Sequence, residues 1–283
     1  MITGNQDMKE IRVKKFDGSL EPYDREKIVS FGIRMGVSGR DAAQIADKLE
    51  TQIYDEISTK RILQLARRYL KQYKPEIGLR RDLRTSICLL RSKPDWELFL
   101  QLLMKERGYE VEENRILKGK CVDNEIDGIL RTKTQTIMLE AKHHINPHTK
   151  TSLDVQREVW AIYVDLKEGY AAAYHDFDFT GALIICNTKF SKEGKKYANC
   201  RGIGTLGWKE PFHTGLEVLI EAENFYPITI LREIDKKTQI TLGDFGIILL
   251  KQMINADLEK IAHMTGINIK KIEKIAENAR KIL

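Results

Sequence analysis

Two short stretches of the chain bring acids and an amine within reach of one another: Glu125-Ile126-Asp127-Gly128 and Leu139-Glu140-Ala141-Lys142. If both are strands of one hairpin turning at Lys133-Thr134, opposite residues have numbers summing to 267. Asp127 then faces Glu140, and Glu125 faces Lys142. Side-chain alternation puts Glu140 and Lys142 on one face of their strand. Directly opposed β-carbons lie about 4.5–5.5 Å apart, a span over which two carboxylates can share one hard cation. Without a cation two such acids repel, and one takes up a proton. Mg²⁺ removes that cost and binds through one or two carboxylates, waters and phosphate oxygens. Such an ion polarises a phosphodiester and activates water. Lys142 would position that water or stabilise the developing charge, and Gly128 would leave room for backbone to approach a ligand. The same pattern also fits a solvated cross-strand ladder of ion pairs, which does no chemistry. His143, His144 and His148 follow at once, but their spacing is not that of a helix-borne metal pair; they are expected to be exposed or to contact DNA.

The elements that must hold these residues can be read along the chain. From 95, DWELFLQLLMKERGY is a helix capped by Asp95 and stopped near Gly108. The Ile-, Val- and Leu-rich stretch VEENRILKGKCVDNEIDGILRTKTQTIMLEAKHH alternates as two or three antiparallel strands. A helix, LDVQREVWAIYVDLKEGYAAAY, precedes the buried-strand run GALIICN. Another helix, FSKEGKKYANCRG, leads into the short strand IGTLGW. This order predicts an α/β fold in which helices flank a mixed sheet.

Flanking segments are mainly helical. Residues 10–92 open with the hairpin VKKFDGSLEPYD, turning at Asp17-Gly18, followed by helices with polar caps at Ser38 and Ser58. Ser92-Lys93-Pro94-Asp95 is the expected linker, because Pro94 disfavours helix at the residue before it. Residues 236–283 form a small helical domain ending in two helices joined by Thr265-Gly266-Ile267.

Bulk properties narrow the class. The 283 residues, 42% hydrophobic and 31% charged, suffice for two or three cores. No run of 18 apolar residues exists, and the start, MITGNQDMKE, lacks the apolar stretch of a secretory signal. Four cysteines without a CxxC pair argue against a zinc ribbon and a disulfide framework, so a cytoplasmic location is expected. The net charge of +6 is uneven: residues 1–94 carry roughly seven excess positive charges, 236–283 roughly four, and the middle is acidic by roughly five. An acidic centre between basic ends fits a metal site flanked by phosphate-binding modules.

Over residues 95–210 the chain resembles the Mrr-like branch of the PD-(D/E)xK restriction endonucleases. The resemblance rests on Asp127, Glu140-Ala141-Lys142, the helix-then-strand DWELFLQLLMKERGYEVEEN, and ICNTKFSKEGKKYANCRGIGTLGW. It implies a restriction-endonuclease-like catalytic domain over 95–235 that hydrolyses DNA phosphodiesters with Mg²⁺ or Mn²⁺. Asp127, Glu140 and Ala141 would be the metal residues and Lys142 the catalytic amine, with Glu97 and Gln156 joining from the flanking helices.

Residues 10–92 resemble the ATP-cone, a nucleotide-sensing domain, through Val13-Lys14-Lys15-Phe16-Asp17-Gly18 and Glu21-Pro22-Tyr23-Asp24-Arg25-Glu26-Lys27-Ile28. That implies ATP or dATP as an allosteric ligand near Lys15 and Lys27. Phe16 stands where the family often has arginine, and its ring would pack the fold instead. No GxxxxGK[ST] loop occurs, which argues against a P-loop ATPase. The tail resembles a helix-hairpin-helix, implying DNA contact through Gly266, Lys270 and Lys271, with Asn268 in place of the second hairpin glycine. The rival expectation is a catalytically inactive, nucleotide-responsive DNA-binding regulator; an RNA-processing nuclease would differ in substrate alone. Nucleases that cut both strands often pair their active sites, which leaves a homodimer open.

Overall fold

The computed structural model describes residues 11–283; the opening ten residues, including the stretch read as lacking a secretory signal and the expected start of the first domain at 10, lie outside it. The chain divides into two compact units, one ending at Arg80 and the other running from Arg81 to Leu283.

In the first unit, β1 (Arg12–Lys14) and β2 (Leu20–Pro22) pair antiparallel across a turn in which Gly18 takes φ +84°, a left-handed conformation that glycine adopts without strain. Helices α1 (Arg25–Arg34) and α2 (Gly39–Glu50) follow, and β3 (Ile57–Ser58) joins β1 in parallel ahead of α3 (Thr59–Tyr73). Ser38 and Ser58 cap α2 and α3 as their sequence suggests, each hydroxyl accepting from a backbone N–H three residues on. Val13, Phe31, Ile45, Leu49, Ile57, Leu65 and Leu70 form this unit's own core.

The second unit begins earlier than the expected linker. Helix α4 (Leu83–Cys88) sends Leu83 and Ile87 into the same core as Trp96 and Phe99, and so belongs to the sheet-bearing unit. Asp95 does not cap the next helix: it is buried and accepts hydrogen bonds from the Arg91 guanidinium and backbone N–H, while α5 (Glu97–Glu106) starts beyond it and ends before Gly108 at φ +86°.

Five strands follow where two or three were expected: β4 (Glu110–Glu112), β5 (Arg115–Lys118), β6 (Asp123–Ile126), β7 (Gly128–Arg131) and β8 (Thr136–Lys142). After β9 (Lys150–Thr151) come α6 (Leu153–Ala171), β10 (Gly181–Cys186), β11 (Lys189–Phe190), α7 (Lys192–Arg201) and β12 (Gly204–Leu206). The central sheet has the order β12-β10-β8-β7-β4, with parallel pairing among β12, β10 and β8 and antiparallel pairing from β8 outward. This is the mixed sheet flanked by helices that the element order implies.

Alternation divides the sheet's two faces. Leu130, Leu139 and Ile185 point to the core built on α5, whereas Ile129, Met138 and Ile184 point to the one that includes Val159 and Leu166 of α6.

The C-terminal helices are α8 (Leu216–Ala222), α9 (Lys236–Asp244), α10 (Leu250–Ile254), α11 (Leu258–Thr265) and α12 (Ile269–Ile282). Leu242, Met253, Ile261, Ile272 and Ile275 join Trp96, Phe99 and Leu103 in one continuous core. Residues 236–283 thus share their core with the sheet domain, although the composition shift at 236 suggests a separate body. Among the described residues no helix is long and apolar enough to cross a membrane.

Candidate active site

Strands β7 and β8 pair in the register that the hairpin implies, Gly128 against Leu139 and Arg131 against Thr136, with the turn closed by Thr132 N–H donating to the Gln135 carbonyl. One step beyond the last pair, Asp127 lies at the bend between β6 and β7 and comes beside Glu140. Its Oδ2 accepts the Ala141 N–H at 2.8 Å, which holds the carboxylate across the end of β8. The structure does not bring Glu125 opposite Lys142. Strand β6 leaves the central sheet to pair with β5, setting Glu125 against Ile116, while Lys142 lies beside Cys186 of β10. Nor is Gly128 an opening for a ligand: a Cβ there would lie 3.2 Å from the Glu112 carbonyl oxygen, so the space is filled by the neighbouring strand.

Asp127, Glu140, Ala141 and Lys142 line one cleft of about 280 Å³, together with Lys93, Glu125, Glu158 and Ile162. Lys142 Nζ lies 2.8 Å from Glu140 Oε1 and 3.9 Å from Glu158 Oε2. Burial raises the Glu140 pKa above the usual carboxylate range, and the Asp127 charge raises it further, against the pull of Lys142. Burial works to lower the Lys142 pKa, but its hydrogen bond to Glu140 and the surrounding acids outweigh that and leave it raised. The hard oxygen donors of this acid pair suit a hard divalent cation. Among the described residues no three His, Cys, Asp or Glu side chains form a metal-holding group. An ion here would complete its shell with the Ala141 carbonyl, water or phosphate, as Mg²⁺ commonly does.

Glu97, from the first turn of α5, reaches the same site. Burial raises its pKa, Lys93 opposes that, and Asp127, which it meets by charge and hydrogen bond, raises it again. Gln156 does not reach the cleft: fully buried on α6, it packs its amide against Gly194 of α7, where a Cβ would lie 2.6 Å from Gln156 Oε1. The same helix instead presents Glu158 and Ile162, one turn apart, to the cleft. Sequence reasoning missed Glu158 by two positions of helical phase. It also missed Lys93, whose i,i+4 relation to Glu97 was the available signal.

Two of the three histidines, His143 and His144, are bound inward, where exposure or DNA contact was expected. His143 contacts the Ile87 carbonyl at 3.0 Å through Nε2 and Ser92 Oγ at 3.2 Å through Nδ1, and leans on Trp96. His144 takes Thr151 Oγ1 through its ring while its N–H donates to Asn187. Burial lowers both pKa values, and the two rings anchor the loop after Lys142. His148 is exposed.

In the first unit, Lys15 and Lys27 converge on Glu21, at 2.8 and 3.8 Å, and Lys27 also approaches Asp24 at 3.7 Å. Phe16 is 73% exposed at the hairpin and does not pack the core, because its position in the turn faces solvent. In the tail, Gly266 ends α11 at φ +66° and Asn268 caps α12 by accepting from the Lys270 N–H. Lys270 is exposed, whereas the Lys271 ammonium is held by Asp235 at 2.9 Å and Thr238 at 2.6 Å.

Residues 226–283 match the family described as AF1548-like, C-terminal. A protein of Archaeoglobus fulgidus, described as uncharacterized, is 36% identical over 181 residues, which is 64% of this chain and 98% of that protein. A crystal structure titled as a protein of unknown function, AF1548, superposes with a TM-score of 0.57 at 35% identity, covering 66% of this chain and 95% of that one. The MspJI restriction endonuclease in complex with a 27-mer oligonucleotide gives a TM-score of 0.27 at 12% identity, covering 85% of this chain and 41% of that one, too loose a likeness to carry an argument. Identity at more than a third of positions along nearly all of the archaeal relative makes this chain a member of the AF1548-like family.

Proposed function

We propose that this chain is an endodeoxyribonuclease that hydrolyses phosphodiester bonds with Mg²⁺ or Mn²⁺. The reading is carried by one observation: Asp127 and Glu140 line a single cleft, with the Lys142 ammonium 2.8 Å from Glu140. Asp127, Glu140 and the Ala141 carbonyl would hold the ion. When bound, the ion supplies Lewis acidity toward a phosphate oxygen and lowers the pKa of a coordinated water. Lys142 orients the attacking water from the Glu140 side and stabilises charge that develops on the phosphorane oxygens. Glu97, beside Asp127, fixes that carboxylate's orientation. The Mrr-like likeness of residues 95–210 and the DNA substrate class belong to this proposal.

In the first unit, Lys15 and Lys27 would mark the nucleotide side of an ATP-cone-like fold. Both ammonium groups already gather on one carboxylate, and a triphosphate would take its place. The turn at Gly266 with the exposed Lys270 would meet the DNA backbone at the start of α12, with Lys271 committed to Asp235.

Plasmid DNA incubated with Mg²⁺, with and without ATP, tests the whole reading. The wild type is expected to nick or linearise it, Asp127→Ala to lose that activity, and ATP to change the wild-type rate. Equal nicking by both proteins would assign the activity to a contaminant. Shifted but uncut DNA under Mg²⁺ and Mn²⁺ would favour the inactive regulator.

A further inference from the structure

The cleft contains two ammonium groups, and the proposed reaction uses one of them. Lys142 belongs to Glu140. The other, Lys93, approaches from the segment before α5, its backbone extended at φ −128° and ψ 138° as befits a residue ahead of proline. Its Nζ lies 2.9 Å from Glu125 Oε1, 3.1 Å from Glu97 Oε1 and 3.7 Å from Asp127 Oδ1. Asn114 donates to the same Glu125 oxygen at 2.8 Å and turns it toward the lysine. Three carboxylates therefore surround one monovalent cation. The two oxygens of Asp127 are divided: Oδ2 takes the Ala141 N–H and Oδ1 faces Lys93.

We infer that Lys93 is a resident counter-ion facing Oδ1 of Asp127 in the metal-free protein, and that a divalent ion enters by displacing it. The inference rests on the reading that Asp127 holds the metal. An ammonium and a divalent cation cannot crowd the same carboxylate oxygen without repulsion, and at about 5 Å even water-like screening leaves roughly tenfold in affinity. The displaced side chain has an easy exit, since Lys93 is 58% exposed and its tether is extended chain. Lys93 is thus a positioning residue that sets the affinity of the ion, and it keeps three acids from repelling one another before the ion arrives.

Calorimetric titration of the full chain with MnCl₂, without DNA, reads this directly. Lys93→Met is expected to bind Mn²⁺ about tenfold more tightly than wild type, with the difference shrinking as ionic strength rises. Lys93→Arg should stay within about twofold of wild type, because the charge is kept. Asp127→Asn should lose most of the binding. In chelator, Lys93→Met should melt below wild type, and Mn²⁺ should close that gap; Lys93→Gln provides a second neutral variant. Mn²⁺ binding that depends on Asp127 but is unchanged or weaker in both neutral variants would overturn the counter-ion role and leave the nuclease reading standing. No Mn²⁺ binding by the wild type, or equal binding by Asp127→Asn, would overturn both.

Discussion

Glu140 shows how a single residue can be costly to the fold and central to the proposed site. Its carboxyl is largely buried, next to Asp127, and holds Lys142. Burying an ionised acid beside another is unfavourable, so Glu140→Gln should leave the metal-free melting temperature no lower than wild type while cleavage falls at least about 100-fold, more than loss of an outer-sphere partner. The pH dependence has a definite sign. With the folded pKa raised above the ordinary 4.5, the native protein keeps a proton that the unfolded chain has lost just above that pH. The contribution of Glu140 to stability therefore falls as pH rises through this window. Melts of wild type and Glu140→Gln from pH 4.5 upward should show the wild type losing ground; parallel curves would contradict the assigned burial. The pair Asp127 and Glu140 was legible in sequence because it needs only a turn position and two-residue alternation. For Lys93 only the i,i+4 relation to Glu97 was legible, since its other partners Glu125 and Asp127 lie more than thirty positions away and meet it through tertiary packing.

At the scale of elements, α9 and α12 are fastened by a side-chain cap with two tasks. Asp235 accepts from the Thr238 N–H at the start of α9 and from the Lys271 ammonium of α12. The Lys271 hydrogen bond, followed by those from Thr238, holds the Asp235 carboxyl well below its ordinary 3.8. A depressed acid stabilises above the unfolded value and loses that contribution as pH falls through and below it. Asp235→Ala should cost about 1 kcal/mol at neutral pH, the usual worth of a cap, and the gap from wild type should narrow below pH 3.8. Thermal melts between pH 3 and 7 would read it, and a gap constant with pH would rule out the carboxylate as its source. Helical phase explains what the sequence hid here and in α6: Gln156 and Glu158 stand 200° apart on an ideal helix, and polarity alone does not say which one faces the sheet edge.

For the whole molecule, the consequential finding is where cores begin and end. The helical tail reads as a detachable module by charge and composition, yet Leu242, Ile272 and Ile275 are fully buried with Trp96 and Phe99. Removing residues 236–283 would expose a face of the core on which α5 rests. Such a truncation is expected to be insoluble or to lack a cooperative melt, by circular dichroism, whereas a chain starting at Arg81 keeps its core entire and should melt cooperatively. A well-folded tail-less protein would refute the shared core. The boundary escaped sequence reading for a physical reason: hydrophobic periodicity reports that a helix has an apolar face and not which surface covers it.

The bend at residue 127 has a mechanical corollary. On its N-terminal side the chain runs in the two-stranded β5–β6 ribbon, and on its C-terminal side in the five-stranded sheet, so one aspartate is the coupling between two rails. A tilt of the ribbon would reach that carboxylate with no loop to absorb the slack.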